Sequence, residues 1–113
     1  MEFWHNPRCS KSRQALAILR DKGIEPEVRL YLDRAPDEAE IRSVIAALGL
    51  DTAHDLIRTA EPDYKAASLS RGTSEAALIA AMAAHPKLIE RPVLIHGGRA
   101  VIGRPPERVL ELI

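Results

Sequence analysis

Residues 3–32 leave few choices of topology. Phe3, Trp4 and His5 read as the end of a short strand, and the Asn6-Pro7 pair breaks it, because the residue before a proline is driven out of helical geometry. From Ser10 to Lys22 the apolar residues Ala15, Leu16 and Leu19 recur at helical spacing, and Gly23 stands where a left-handed C-terminal cap belongs. Glu27 to Leu32 then has the β-branched and aromatic content of a second strand. A strand that leads through a helix into another strand crosses over with one hand, so the two strands are expected to run parallel. Cys9 falls at the N-terminus of the intervening helix.

The rest of the chain extends this start into a mixed α/β sheet with the order β-α-β, helical insert, β-β-α. Asp37 and Glu40 have capping-box spacing, and Ile41, Val44, Ile45 and Leu48 follow at helical intervals before Gly49. Between Asp51 and Arg71 short apolar clusters around Leu56-Ile57 and Leu69 are interrupted by Pro62, which predicts short helical turns and loops suited to lining a site. Thr73 or Ser74 can cap a further helix whose Leu78, Ile79 and Met82 share a face, ending near His85-Pro86. Val93–His96 and Arg99–Ile102 flank Gly97-Gly98, the residue pair of a two-residue antiparallel hairpin. Pro105-Pro106-Glu107 opens a last short helix, with Val109, Leu110 and Ile113 expected to face the sheet.

A chain of 113 residues, 46% hydrophobic, fits a single domain spanning 1–113. Sixteen Lys plus Arg balance sixteen Asp plus Glu, so overall charge points to neither nucleic acid nor a membrane surface. No apolar run reaches the roughly 18 residues of a membrane span, and Met1-Glu2-Phe3-Trp4 lacks the build of a signal peptide. A cytoplasmic protein is expected. Its one cysteine can form no internal disulfide, so any redox cycle needs an external thiol.

That cysteine is well placed to react. The nucleophile is the thiolate, and an ordinary cysteine, with a pKa of about 8.5, is only a few per cent ionised at neutral pH. The amides that open the helix after Cys9 and the cations Arg8, Lys11 and Arg13 favour the ionised sulfur. A depression of about two units, roughly 2.7 kcal/mol, would make most of it thiolate. The run NPRCSKSR at 6–13 has the makings of an anion-binding loop. His5 could assist by charge, and Asn6 and Ser12 by hydrogen bonds to the sulfur. The competing readings are that Cys9 is a small buried hydrophobe, that His5 makes a structural hydrogen bond, and that Arg13 faces solvent. His5 and Cys9 by themselves make a poor metal site, since zinc takes three or four protein ligands, so no metal is expected.

HNPRCSKSR at 5–13 and RPVLIHGGRAVIGRPPERVLELI at 91–113 together resemble the glutaredoxin-coupled arsenate reductase family, with YLDRAPDEAEI at 31–41, LIRTAEPDYKA at 56–66 and HPKLIERP at 85–92 agreeing between them. The resemblance implies a thioredoxin/glutaredoxin-like fold with a helical insert. It implies that Cys9 attacks arsenate to form a thiol ester of arsenic, which glutathione attacks and glutaredoxin reduces, releasing arsenite. Glutathione is then a co-substrate, and no bound cofactor is expected. The positions matching the family's oxyanion-binding arginines are Arg58, Arg91 and Arg104, and three planar guanidiniums suit a tetrahedral dianion approached by a thiolate. Pro92 matches the family's cis-proline. Two features depart from some members: Ser10 stands where they have glycine, and they carry a longer tail beyond the position of Ile113. The alternatives are a glutathione-dependent thiol transferase, against which the arginine trio weighs, and a non-enzymatic redox-sensing regulator of the same fold. Regulators of that kind typically use a cysteine pair.

Overall fold

A computed structural model describes all residues from Met1 to Ile113. The element order is β1 (Glu2–Trp4), α1 (Ser10–Asp21), β2 (Glu27–Arg29), α2 (Glu38–Leu48), α3 (Pro62–Ala66), α4 (Glu75–Ala84), β3 (Val93–His96) and β4 (Arg99–Ile102). Short 3₁₀ segments at Ala53–Leu56, Pro86–Leu88 and Pro106–Leu112 complete it. The chain divides into two compact units, one made of Met1–Arg34 with Arg91–Ile113 and the other of Ala35–Glu90.

The first unit holds the sheet, in the order β2-β1-β3-β4. β1 pairs parallel with β2 and antiparallel with β3, with Phe3 opposite both Val28 and Leu94. This mixed sheet with its crossover helix is the thioredoxin-like arrangement. Because side chains alternate along a strand, Phe3, Leu94 and Val101 share one face, where they pack with Ala15, Leu16 and Leu19 of α1 and Val109 of the C-terminal segment. Trp4 and Val93 point to the opposite face and are buried too. The β3–β4 turn falls on Gly97 and Gly98, both with positive φ (58° and 77°), as a twist-matched two-residue hairpin requires.

Two expectations for this unit are corrected. Leu30 to Leu32 do not continue β2: the amides of Asp33 and Arg34 both bond to Leu30 O, closing a turn. The C-terminal segment is a 3₁₀ helix, with three residues per turn, so Pro106, Val109 and Leu112 recur on the inner face. Leu110 and Ile113, expected to face the sheet, are 36% and 55% exposed.

The second unit is helical. Asp37 caps α2 by accepting from the Glu40 amide, while the Glu40 carboxylate accepts from the Asp37 amide. Gly49 ends the helix at φ 71°. Ser74, rather than Thr73, caps α4 by accepting from the Ala77 amide. Ile41 and Val44 of α2 and Leu78, Ile79 and Met82 of α4 are buried, as are Leu56, Ile57, Leu88 and Ile89. An isolated antiparallel bridge joins Ile57 to Ile89, placing the main chain of Arg58 beside residue 88. No helix in either unit is long and apolar enough to cross a membrane.

Candidate active site

Cys9 owes its position to the strand that precedes it. The His5 amide still bonds to Arg29 O at 2.9 Å, extending the β1–β2 ladder by one step before Asn6-Pro7 turns the chain away. The Cys9 amide closes that turn on Asn6 O at 3.0 Å. Cys9 then takes an extended N-cap conformation (φ −94°, ψ 121°), and its carbonyl accepts the Arg13 amide at 3.0 Å. No acidic residue occupies the first turn of α1, so no carboxylate of that turn competes with the sulfur for the amides there.

The thiol is buried, with 8% of the residue exposed. Burial pushes its pKa up, as it does for any group that ionises to an anion. The Ser12 amide, the charge of the Arg91 guanidinium, a hydrogen bond from Arg91 and the Lys11 amide all push it down, and together they prevail. Cys9 therefore titrates below the ordinary thiol range. Arg104 Nη1 lies 3.8 Å from Cys9 Sγ as a donor and 3.2 Å from Arg91 O, so the second arginine is tied to the main chain of the first. A partly dehydrated thiolate flanked by guanidiniums and helix amides can attack an electropositive centre whose own oxygens are anionic.

Of the supporting residues, Ser12 bonds to the sulfur through its amide, and His5 makes a structural hydrogen bond. The Ser12 hydroxyl is fully buried and lies 2.7 Å from His5 Nδ1, while accepting the Asn6 amide at 3.0 Å. It does not reach the sulfur because, one turn into the helix, it faces back toward the strand end; its amide serves Cys9 instead. Asn6 Oδ1 accepts the Arg8 amide at 3.0 Å and so shapes the loop rather than touching the thiol. Burial, reinforced by the charges of Arg20 and Arg13, lowers the pKa of His5. Its contact with the Ser12 hydroxyl is the structural hydrogen bond of the competing reading. Arg13 Nη1 donates to Pro7 O at 2.8 Å, bracing the loop.

The Arg91–Pro92 peptide is cis, and so is Arg104–Pro105. Gly103, which the sequence reading passed over, accommodates Pro92: a Cβ there would lie 2.8 Å from Pro92 Cγ and 3.2 Å from Val109 Cγ1. Its amide donates to Pro92 O at 2.9 Å. The only signal available in the sequence was a glycine directly before Arg104.

Arg58 belongs to the second unit, where its amide donates to Leu88 O at 2.8 Å and its Nη1 pairs with Glu61 Oε2 at 3.1 Å. The same unit contains a polar cluster that sequence reasoning did not single out. Arg71 Nη1 lies 2.8 Å from His54 Nδ1, and His54 Nε2 lies 2.7 Å from Tyr64 Oη. A guanidinium has only donors, so Nδ1 accepts, and the ring proton on Nε2 is donated to the tyrosine. No group of three or more His, Cys, Asp or Glu side chains is placed to hold a metal ion.

Comparison with known proteins places these residues in context. Residues 4–112 match the model of the ArsC family. The arsenate reductase of Haemophilus influenzae is 45% identical over 112 residues, covering 98% of this chain and 97% of that protein. The uncharacterized protein YfgD of Escherichia coli is 48% identical over 114 residues, covering 100% and 96%. Among solved structures, an arsenate reductase from Vibrio cholerae superposes with a TM-score of 0.96 at 46% identity, covering 100% of this chain and 98% of that one.

Proposed function

The chain belongs to the ArsC family, and from that premise we propose that it reduces arsenate to arsenite with its Cys9 thiolate, drawing electrons from glutathione and glutaredoxin. The observation that carries the reading is the buried Cys9 sulfur, depressed in pKa, with Arg91 acting on it and Arg104 Nη1 at 3.8 Å.

In this reading Cys9 is the nucleophile. Its sulfur bonds to arsenic as an arsenate oxygen leaves as water, and Arg91 and Arg104 offset the repulsion between two anions. Reducing arsenic by two electrons takes two thiols, which leave as a disulfide while arsenite is released. The chain has one cysteine, so at least one thiol comes from outside, and glutathione with glutaredoxin fills that need. Arg58 enters the reading through the family resemblance, as a further guanidinium for the oxyanion. His5, Asn6, Ser12 and Arg13 hold the loop in shape, and cis-Pro92 follows Arg91 in the reactive segment. The reducing conditions that such a cycle needs are those of the cytoplasm.

The test is NADPH oxidation by the purified protein with arsenate, glutathione, glutaredoxin and glutathione reductase, omitting each in turn and comparing Cys9→Ser. Turnover that requires arsenate, both thiol components and Cys9 is the expected result. Turnover with a mixed glutathione disulfide but not with arsenate would replace this reading with thiol transfer, and turnover with thioredoxin alone would reassign the reductant.

A further inference from the structure

We infer that Glu61 is a positioning residue for oxyanion binding, setting the Arg58 guanidinium so that its two-donor edge is presented to substrate; this rests on the proposed role of Arg58. Glu61 is the N-cap of α3, yet its side chain makes no cap hydrogen bond. Its carboxylate turns back to Arg58 Nη1 at 3.1 Å instead, while its amide donates to Arg58 O at 3.1 Å. Main chain and side chain thus bind the same two residues together twice.

This pair differs in kind from the chain's surface pairs. The side chains of Arg58 and Glu61 are 26% and 15% exposed, against 52% and 66% for Arg20 and Glu25 and 54% each for Arg42 and Glu38. A largely buried ion pair is screened less than an exposed one. Both neighbours of the pair are themselves anchored. The Arg58 amide is held by Leu88 O next to the Ile57–Ile89 bridge, and α3 is tied through Tyr64 to His54, whose other ring nitrogen accepts from Arg71.

The choice of atom is the informative detail. Glu61 takes Nη1, and the weaker contact to Lys87 O at 3.4 Å also uses Nη1. Both bonds stay off the Nε–Nη2 edge, which has the parallel donors that match two oxygens of a tetrahedral oxyanion. A carboxylate on that edge would compete with the substrate; on Nη1 it aims the fork and leaves it usable.

The experiment is steady-state reduction of arsenate by the whole protein carrying Glu61→Gln, Glu61→Ala, Arg58→Ala or Arg58→Ala with Glu61→Ala, each checked for an unchanged melting profile. Glu61→Ala should raise KM for arsenate about tenfold, the scale of one charge-assisted hydrogen bond, while kcat changes less than about twofold. Glu61→Gln, which keeps an acceptor at the same place, should recover part of that loss, so the proposal stays testable if the alanine variant unfolds. In the double variant KM should be no worse than in Arg58→Ala alone, as expected of two residues acting through one interaction. If Arg58→Ala raises KM but neither Glu61 variant does, the positioning role is wrong and the reading of Arg58 stands. If Arg58→Ala leaves KM unchanged, the reading of Arg58 itself fails and takes this inference with it.

Discussion

Helices α1 and α2 begin in opposite ways. At the start of α2, Asp37 and Glu40 satisfy each other's amides, and Glu38 and Glu40 put two carboxylates in the first turn. At the start of α1 the N-cap is Cys9, with no side-chain cap bond and no acidic residue in the first turn. The first arrangement consumes the positive end of the helix in stabilising the helix. The second leaves it to act on a sulfur that becomes a good partner only when ionised, and Arg91 supplies a full charge in the same direction. A helix start can serve stability or reactivity, and the N-cap residue together with its first-turn charges decides which.

The largest effect comes from converting one kind of start into the other. Cys9→Asp should abolish arsenate reduction, a loss of about 10³-fold or more for a missing nucleophile, while stabilising the protein by about 1 kcal/mol as a true N-cap. Cys9→Ser should lose the same activity with a smaller gain in stability. Coupled turnover and thermal melting measure the two effects separately, and a Cys9→Asp protein less stable than the parent would break the comparison. The pH dependence has a definite sign. The folded-state pKa of Cys9 is depressed, so its stabilisation is fully present above the ordinary thiol range and is lost as pH falls through the folded value. The stability of the parent relative to Cys9→Ser should therefore rise with pH across that window.

Arg91→Ala should come next. Removing a charge and a donor that lower the thiol pKa shifts the pH midpoint of Cys9 alkylation upward and slows alkylation at pH 7 by about tenfold, in proportion to the thiolate fraction. An unshifted midpoint would mean that the helix amides suffice alone. Arg104→Ala should shift it in the same direction by less, since its contact with the sulfur is 3.8 Å long.

Legibility in the sequence follows the same divide. The α2 capping box and the Gly97-Gly98 hairpin are local chemistry, carried by residues a few positions apart, and both were readable. The helix start at Cys9 was readable for the same reason. The sulfur's cationic partners were not, because Arg104 is 95 residues from Cys9, and only the family resemblance named it. Arg8, Lys11 and Arg13 are the cations that the local sequence offers the sulfur, yet Arg91 is the cation that lowers the thiol pKa. The misplaced Leu110 and Ile113 came from applying the α-helical repeat to a 3₁₀ segment. Ser12 does bond to the sulfur as expected, but through its amide, and its hydroxyl turns to His5 because spacing says nothing about which way a side chain turns.

Ser12→Ala separates loop support from thiol activation. It leaves a buried His5 Nδ1 and the Asn6 amide without the Ser12 hydroxyl, which should cost about 1–3 kcal/mol in stability. Because the Ser12 amide survives, alkylation of Cys9 should slow less than in Arg91→Ala. The parent should also lose stability as pH falls below the ordinary histidine range. Burial and the charges of Arg20 and Arg13 lower the pKa of His5, so the unfolded chain takes up the proton first. Denaturant titrations at pH 7 and pH 5 measure both effects; equal loss in parent and variant would show that the His5–Ser12 bond does not carry the pH dependence.

The smallest expected effect sharpens the comparison most. Asp37→Cys, made in the Cys9→Ser background, places a thiol at the cap of α2, where helix amides are present but the first-turn charges come from Glu38 and Glu40. The positive end of the helix favours the thiolate and two nearby carboxylates oppose it, so the introduced cysteine should alkylate with nearly the pH profile of an unstructured thiol, at a cost of about 1 kcal/mol for the lost capping box. If the introduced thiol instead matched the reactivity of Cys9, the helix start alone would make a reactive thiol, and Arg91 would be needed for the oxyanion and not for the sulfur. The two outcomes divide the work of α1 between its amides and its arginines, a division that the Arg91→Ala variant alone cannot make.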